Sequence, residues 1–195
     1  MTFQNMNIFG VIGSVLLVSA CGGSDGGSSG ALAQLEKGYE IVDKYKDAGP
    51  TETMPADDAA DATYTGIAAF SHTEEINEYS AAEILAMGDM SPEELGEVIA
   101  ATSDFTLTAK FSDGTISGSL SNFHDDSGRL EGTVAINGTI VGNGISGNLS
   151  GTVDGRDVLG THDGNFYGTG AAAVGGGMTG TVGDEDFWGL YVGEQ

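Results

Sequence analysis

The chain has 195 residues and carries 29 acidic side chains against 6 Lys and Arg, a formal charge of −23 at pH 7. This balance excludes nucleic acid as a partner, because phosphate binding needs a basic surface. An acidic surface also repels anionic lipid headgroups, so attachment to a membrane has to come from acyl chains.

The N-terminus has the pattern of a lipoprotein signal. Residues 8–20 are apolar and uncharged; as a helix they would span about 20 Å, too short for a bilayer of roughly 30 Å. The run ends in Leu-Leu-Val-Ser-Ala before Cys21, although no Lys or Arg precedes it, and an ordinary secretory signal with a chance cysteine is the alternative. We predict a signal peptide over residues 1–20 and lipid attachment at Cys21. Because Gly22 stands where Asp would favour the inner membrane, we predict the outer membrane.

Acylation of Cys21 would leave the chain without a thiol, since it is the single cysteine. Disulfides, zinc–thiolate sites and a cysteine nucleophile are then excluded. Residues 21–30 are rich in Gly and Ser, which predicts a flexible tether.

A helix and linker are predicted over residues 31–54. Apolar side chains recur at steps of three and four between residues 31 and 48, which indicates an amphipathic helix; they are Leu32, Leu35, Tyr39, Val42 and Tyr45. Gly49-Pro50 ends this helix.

From Ala62 the apolar period changes to two, which predicts β-strands. The eight predicted strands begin near residues 62, 105, 115, 130, 145, 158, 171 and 185. Turn signals occur at Asp113-Gly114, Asn137-Gly138, Asn143-Gly144 and Asp154-Gly155. Local connections and one apolar face predict a mainly β domain over residues 55–195: a closed, eight-stranded, antiparallel up-and-down barrel. Outer positions hold Thr, Ser, Asn and Lys, so we predict a soluble barrel rather than a transmembrane one.

One long insertion separates the first two predicted strands, over residues 71–103. It holds two capping boxes, Ser80-Ala81-Ala82-Glu83 and Ser91-Pro92-Glu93-Glu94. We therefore predict a two-helix insertion that caps one barrel mouth or packs on the wall beside the N-terminal helix.

Four segments resemble the β-barrel domain of surface lipoproteins related to transferrin-binding protein B; they are residues 62–66, 111–118, 164–168 and 171–181. Ala173 and Met178 depart from the usual Glu and Phe of this family, and Trp188 from a small residue. The resemblance implies a binding protein rather than an enzyme, and a surface location. The full receptors of this family have two lobes, whereas this chain has room for one barrel, and single-barrel relatives are similar to haem-, haemophore- or host-protein-binding lipoproteins.

Three glycines, Gly175, Gly176 and Gly177, bring backbones close or bend the strand. We expect them to make room inside the barrel for large side chains, namely Phe166, Tyr167, Phe187, Trp188 and Tyr191.

Few residues indicate chemistry. The motif Gly142–Gly147 matches G-x-G-x-x-G, but strands flank it on both sides, which indicates a hairpin rather than a dinucleotide site. His72, His124 and His162 are ligand-binding candidates that could hold haem or a metal, with Tyr79 as a further candidate. We expect His124 and His162 in exposed loops. The acidic turns lack a calcium-binding loop, and neither G-x-S-x-G nor H-E-x-x-H occurs, so we predict no metal, no resident cofactor and no enzymatic activity.

Three functions fit these observations. The first is a binding module on the cell surface that captures an iron or haem carrier, or another host protein, for a partner outer-membrane transporter. The second is a periplasmic inhibitor lipoprotein whose acidity suits a basic enzyme such as lysozyme. The third is a structural envelope lipoprotein.

Overall fold

The structure is a computed structural model, and it describes residues 28–56, 60–72 and 99–195. The helix α1 spans Ser28–Tyr45, three residues earlier at each end than predicted. The eight strands are β1 Ala62–Ser71, β2 Ala101–Lys110, β3 Thr115–Asp125, β4 Gly128–Val141, β5 Gly144–Val153, β6 Arg156–Tyr167, β7 Ala173–Val182 and β8 Glu185–Glu194.

The strands close into the predicted barrel. Each strand pairs antiparallel with its neighbours in chain order, and β8 returns to pair with β1, so no edge is left open. The register is continuous over β1 and β2, from Ala62↔Ala109 to Phe70↔Ala101. The up-and-down topology follows from the short turns, which join strands that are adjacent in the sequence.

The strand alternation produces an apolar interior and a polar outer face. Inward positions carry large buried side chains such as Phe105, Leu107 and Leu120. Between them, outward positions such as Thr106 and Ser117 are exposed. A transmembrane barrel has the opposite polarity, so the described strands form a barrel that folds in water. Within the parts of the chain that the structure describes, no helix is long and apolar enough to cross a bilayer.

Several strand glycines are needed because neighbouring strands approach closely. A Cβ at Gly66 would overlap the Val192 carbonyl oxygen, and one at Gly147 would overlap that of Asn137. The strand pairs Gly138↔Gly147 and Gly164↔Gly176 place glycine opposite glycine. The abundance of glycine therefore serves close strand contact as well as turns.

Helix α1 packs lengthwise on the outer wall over β8, β1, β2 and β3. Its buried positions are Gln34, Gly38, Ile41 and Val42, and Ile41 and Val42 pack with Ile67 and Val192 of the barrel. The predicted apolar face of the helix is therefore confirmed at Val42. Leu35, in contrast, is only half-buried, because the buried side of the helix passes through Gln34.

Gln34 fixes the first half of α1 to the wall by hydrogen bonds. Its amide nitrogen donates to Asp104 Oδ1 at 3.0 Å and to the Asn122 carbonyl at 2.9 Å, and its amide oxygen accepts from Thr102 Oγ1 at 2.6 Å. The C-terminal end of α1 contacts different parts of the barrel: Lys44 pairs with Glu194, and Tyr45 packs with Tyr167. The helix thus runs from the end of the barrel where β2 begins towards the end where β8 finishes.

Other predictions about the elements need correction. Asn137-Gly138 lies inside β4, paired with Asn148 and Gly147 of β5, because Gly138 serves close approach and not a turn. Strand β1 extends to Ser71 and β2 begins at Ala101, so both strands reach into the predicted 71–103 insertion. Its two predicted helices, in residues 73–98, lie outside the described residues.

The large aromatic side chains divide between the two faces of the wall. Phe166, Phe187 and Tyr191 belong to the interior core as predicted, but Tyr167 does not. Tyr167 packs under Tyr45 on the outside, since it follows Phe166 by one residue and successive strand residues face opposite sides. Trp188 likewise falls between the inward Phe187 and Gly189, on the outer face.

Candidate binding site at the open end of the barrel

The two ends of the barrel differ. The closed end carries the β2–β3, β4–β5 and β6–β7 turns, and the segment at residues 50–54 lies across it. Thr51 is held there by two hydrogen bonds of 2.9 Å, from its nitrogen to the Phe166 carbonyl and from Oγ1 to the Gly168 carbonyl. Met54 packs against the core. These contacts seal this end.

Tyr64 completes the closure from inside. Its hydroxyl donates to the Ala171 carbonyl at 2.7 Å, which also accepts from Gln195 Nε2 at 2.8 Å. Burial raises the pKa of Tyr64 to about 12, so the hydroxyl remains a donor at neutral pH. The Tyr64 and Phe166 rings lie 5.5 Å apart.

In the part of the chain that the structure describes, a cavity opens at the opposite end, which we name the mouth. It lies among the β3–β4, β5–β6 and β7–β8 turns and the points where the chain leaves β1 at His72 and enters β2 at Ala101. A cavity of about 80 Å³ enters the barrel here. Three phenylalanines line one side: the Phe70 ring is 5.7 Å from Phe187, edge to face, and 6.1 Å from Phe123. The other side is aliphatic, formed by Leu130, Val134, Leu149, Val153, Val158 and Val182.

The rim of the mouth is charged. The three turns here, residues 125–129, 153–157 and 182–186, contain seven carboxylates and two arginines. The three turns of the closed end, residues 110–115, 141–144 and 167–173, contain one carboxylate and one lysine. Between the adjacent β5–β6 and β7–β8 turns of the rim, Arg156 Nη1 contacts Glu185 Oε2 at 2.9 Å, with both side chains largely exposed. An apolar cavity is therefore surrounded by a negative rim.

His72, one of the predicted ligand residues, lies at this rim and lines the cavity. His124 does not: it sits on the outer wall, half-buried, where Gly30 of α1 contacts its ring and Nε2 lies 3.3 Å from Asn122 Oδ1. The expected exposed loop position is therefore wrong for His124, which lies within β3 near its end and is partly covered by helix α1. Cys21 and Tyr79 lie outside the described residues.

The prediction that His162 lies in an exposed loop is wrong. It lies in the middle of β6, points into the barrel and is 4% exposed. Its ring is 6.2 Å from that of Tyr191, and Nε2 has no hydrogen-bond partner among the described residues. Burial lowers the pKa of His162, opposed in part by a hydrogen bond to the main chain of Asn137. The following Asp163-Gly164 does not form a turn, because Gly164 lies under the Tyr191 hydroxyl.

The described histidines therefore lie in three separate places, at the rim, on the outer wall and in the core. Within residues 28–56, 60–72 and 99–195, no group of three or more His, Cys, Asp or Glu could hold a metal ion. The cavity is well below the roughly 300–1,000 Å³ of pockets for drug-sized ligands. The mouth can hold one small apolar group with charged neighbours.

These features define a water-soluble β-barrel with one sealed end and one apolar mouth. The family model of the C-lobe and N-lobe β-barrels of Tf-binding protein B matches residues 54–195. The chain therefore belongs to the transferrin-binding protein B barrel family.

Solved structures with a similar strand arrangement include members of this family. A transferrin-binding protein B variant from Actinobacillus pleuropneumoniae is 18% identical, with 74% of this chain and 64% of that chain covered and a TM-score of 0.44. The protein from Neisseria meningitidis is also 18% identical, with 72% and 28% covered and a TM-score of 0.44. The N-lobe of lactoferrin-binding protein B from Moraxella bovis is 17% identical, with 75% and 60% covered and a TM-score of 0.39. The chain thus spans less than two thirds of each of these structures, and no curated protein matches it.

Proposed function

We propose that the protein is a non-enzymatic binding module, anchored to the outer membrane by lipid on Cys21, that captures a protein ligand at the cell surface. The observation that carries the proposal is the match of residues 54–195 to the transferrin-binding protein B barrels. The polar outer wall and the charge of −23 support a barrel displayed in water rather than one embedded in lipid.

The proposed layout has a signal peptide over 1–20, a tether from Cys21, helix α1 and the barrel. Helix α1 begins beside the mouth, because Gly30 contacts His124 and Gln34 binds Asp104 there. The seven residue steps from Cys21 to Ser28 extend to about 25 Å at most. A lipid on Cys21 would therefore hold the start of α1, beside the mouth, within about 25 Å of the lipid surface.

The proposed ligands follow from the names of the similar proteins, which bind transferrin and lactoferrin. An iron carrier, a haem carrier or another host protein would be captured and passed to a partner transporter in the outer membrane. The proposal includes no resident cofactor.

Two measurements test the proposal. Labelled palmitate should be incorporated by cells expressing the chain and not by cells expressing C21S, and protease added to intact cells should remove the barrel. Purified chain starting at residue 21 with C21S, which keeps every described residue, is then titrated with transferrin, lactoferrin and haemoglobin. Saturable binding of one of them is expected. If no palmitate is incorporated, the proposed lipid anchor is contradicted. If no carrier binds saturably, the proposed capture of an iron carrier is contradicted.

A second candidate function is favoured by the carboxylates around the mouth, which suit a basic enzyme as partner. In that case the protein would be an acidic inhibitor lipoprotein facing the periplasm. Inhibition of lysozyme by the same purified chain, together with resistance of the barrel to protease on intact cells, would replace the first candidate by the second.

A further inference from the structure

We propose that the mouth is the docking site for a basic segment of a partner protein, which inserts one apolar side chain into the cavity. This inference rests on the proposed function as a protein-binding module and specifies which surface binds and what chemistry it recognises. It is independent of the identity of the carrier, because it depends only on the shape and charge of the open end.

The cavity limits the size of the inserted side chain. Its volume of about 80 Å³ is a fraction of the roughly 300–1,000 Å³ of a pocket for a drug-sized ligand, so it suits a single side chain of the size of Leu, Met or Phe better than the larger Trp. Phe70, Phe123 and Phe187 offer ring edges and faces to an aromatic group. The expected anchor is therefore Leu, Met or Phe.

The rim determines the charge of the partner. Seven carboxylates against two arginines surround the cavity. One of the arginines, Arg156, already contacts Glu185, and both are exposed, so the rim charges remain available to solvent and to a partner. A central apolar pocket ringed by charge is the arrangement in which a buried anchor supplies affinity and the rim supplies steering and selectivity. Lys and Arg beside the anchor meet this rim, whereas Asp and Glu are repelled.

The difference between the two ends of the barrel indicates that the partner docks at the mouth. At the other end, Thr51 and Met54 lie across the opening, and the three turns carry one carboxylate and one lysine. Among the described residues, the cavity that leads to the apolar interior therefore lies at the acidic end, and a partner that enters it meets the rim first.

The experiment uses the chain from residue 21 with C21S, and four synthetic heptapeptides as probes. The reference peptide is Gly-Lys-Lys-Phe-Lys-Lys-Gly. One variant replaces Phe by Ala, one replaces Phe by Trp, and one replaces the four Lys by Glu. Binding is measured by fluorescence anisotropy at 50 mM and 500 mM NaCl. We expect the Ala peptide to bind at least tenfold more weakly than the reference, the Trp peptide also more weakly, the Glu peptide not at all, and the reference to weaken at high salt.

Variants of the protein locate the site. A101F fills the mouth and should reduce binding of the reference peptide at least tenfold; A101L, which adds less volume, serves if A101F fails to fold. The rim variant D157N/D184N/D186N should also weaken binding several-fold. Its matched control, D47N/E52Q/D61N, removes three carboxylates near the closed end and should leave binding unchanged.

Three outcomes overturn the inference. Equal binding of the Phe and Ala peptides would show electrostatic attraction without an anchor. Equal binding of the Lys and Glu peptides would show a mouth that accepts apolar groups regardless of charge, such as an acyl chain. Equal losses from the two triple variants, or no binding at all, would remove the mouth as the docking site. Peptide binding without binding of any iron carrier would instead contradict the choice of ligand proposed above and leave this inference intact.

Discussion

The buried His162 predicts a specific dependence of stability on pH. Its imidazole is enclosed between strands and Nε2 has no partner among the described residues, so a charge on the ring would be poorly solvated. Burial lowers the pKa of His162 below 6.5. The unfolded chain therefore binds the proton first as the pH falls, and the stability contributed by neutral His162 is fully present above pH 6.5 and lost below it.

The size of the effect follows from linkage. One titrating group changes the free energy of unfolding by at most about 1.4 kcal/mol per pH unit. Between pH 7.5 and pH 5.0, the loss has an upper limit of about 2 kcal/mol, which corresponds to an unfolded pKa of about 6.5 and a folded imidazole that stays neutral throughout. The many carboxylates add their own pH dependence, but a variant without the imidazole shares it. The difference between the two proteins isolates His162.

The assay compares the C21S chain with and without H162L, a change to an apolar side chain of similar size. Unfolding in guanidinium chloride is followed by the fluorescence of Trp188, the single tryptophan of the chain. The chain that retains His162 should lose up to about 2 kcal/mol relative to H162L as the pH falls from 7.5 to 5.0. H162Q, which stays neutral and polar, should behave as H162L does. A stability difference that stays constant over this range, or changes in the other direction, would refute the buried neutral imidazole.

Three further predictions concern the barrel and its helix, all measured as free energies of unfolding. G66A should destabilise by about 3 kcal/mol, because its Cβ would overlap the neighbouring strand, whereas G49A, with nothing within 4 Å, should change stability by less than about 0.5 kcal/mol; equal effects would contradict the close strand contact. Q34A should cost about 2 kcal/mol and expose α1 to protease, since three hydrogen bonds to the wall are lost; an unchanged digestion pattern would count against this anchoring. Y64F should cost about 1 kcal/mol through loss of the bond to Ala171, and no measurable loss would show that the closed end does not depend on it.

The fold could be predicted largely from local patterns. The two-residue period identified all eight strands, because every strand has one face in the core, and the short turns imply antiparallel neighbours. The prediction of a turn at Asn137-Gly138 was wrong because glycine serves two purposes in this chain. It occurs in hairpin turns and also where two neighbouring strands approach closely, and the local sequence does not distinguish the two cases.

The candidate site depends on long-range arrangement and was less predictable. The lining of the mouth comes from all eight strands, so no single segment of sequence contains it. The orientation of α1 was also inaccessible, because an amphipathic pattern gives the buried face and not the direction along the barrel. His162 could have been recognised from its even spacing with Val158 and Phe166, which are both buried, but the following Asp163-Gly164 indicated a turn.

The central claim is that the open end of this family member binds a protein. The most direct measurement places a photo-crosslinking phenylalanine analogue at Ala101 in the mouth and, in a matched chain, at Thr63 on the exposed outer wall near the closed end. Both chains are irradiated on the cells that produce the protein, in the presence of its natural surroundings, and the crosslinked peptide is sequenced by mass spectrometry. We predict an adduct from position 101 and none from position 63, with Lys or Arg flanking the attached residue. Equal adducts from both positions, or an acidic attached peptide, would contradict the account.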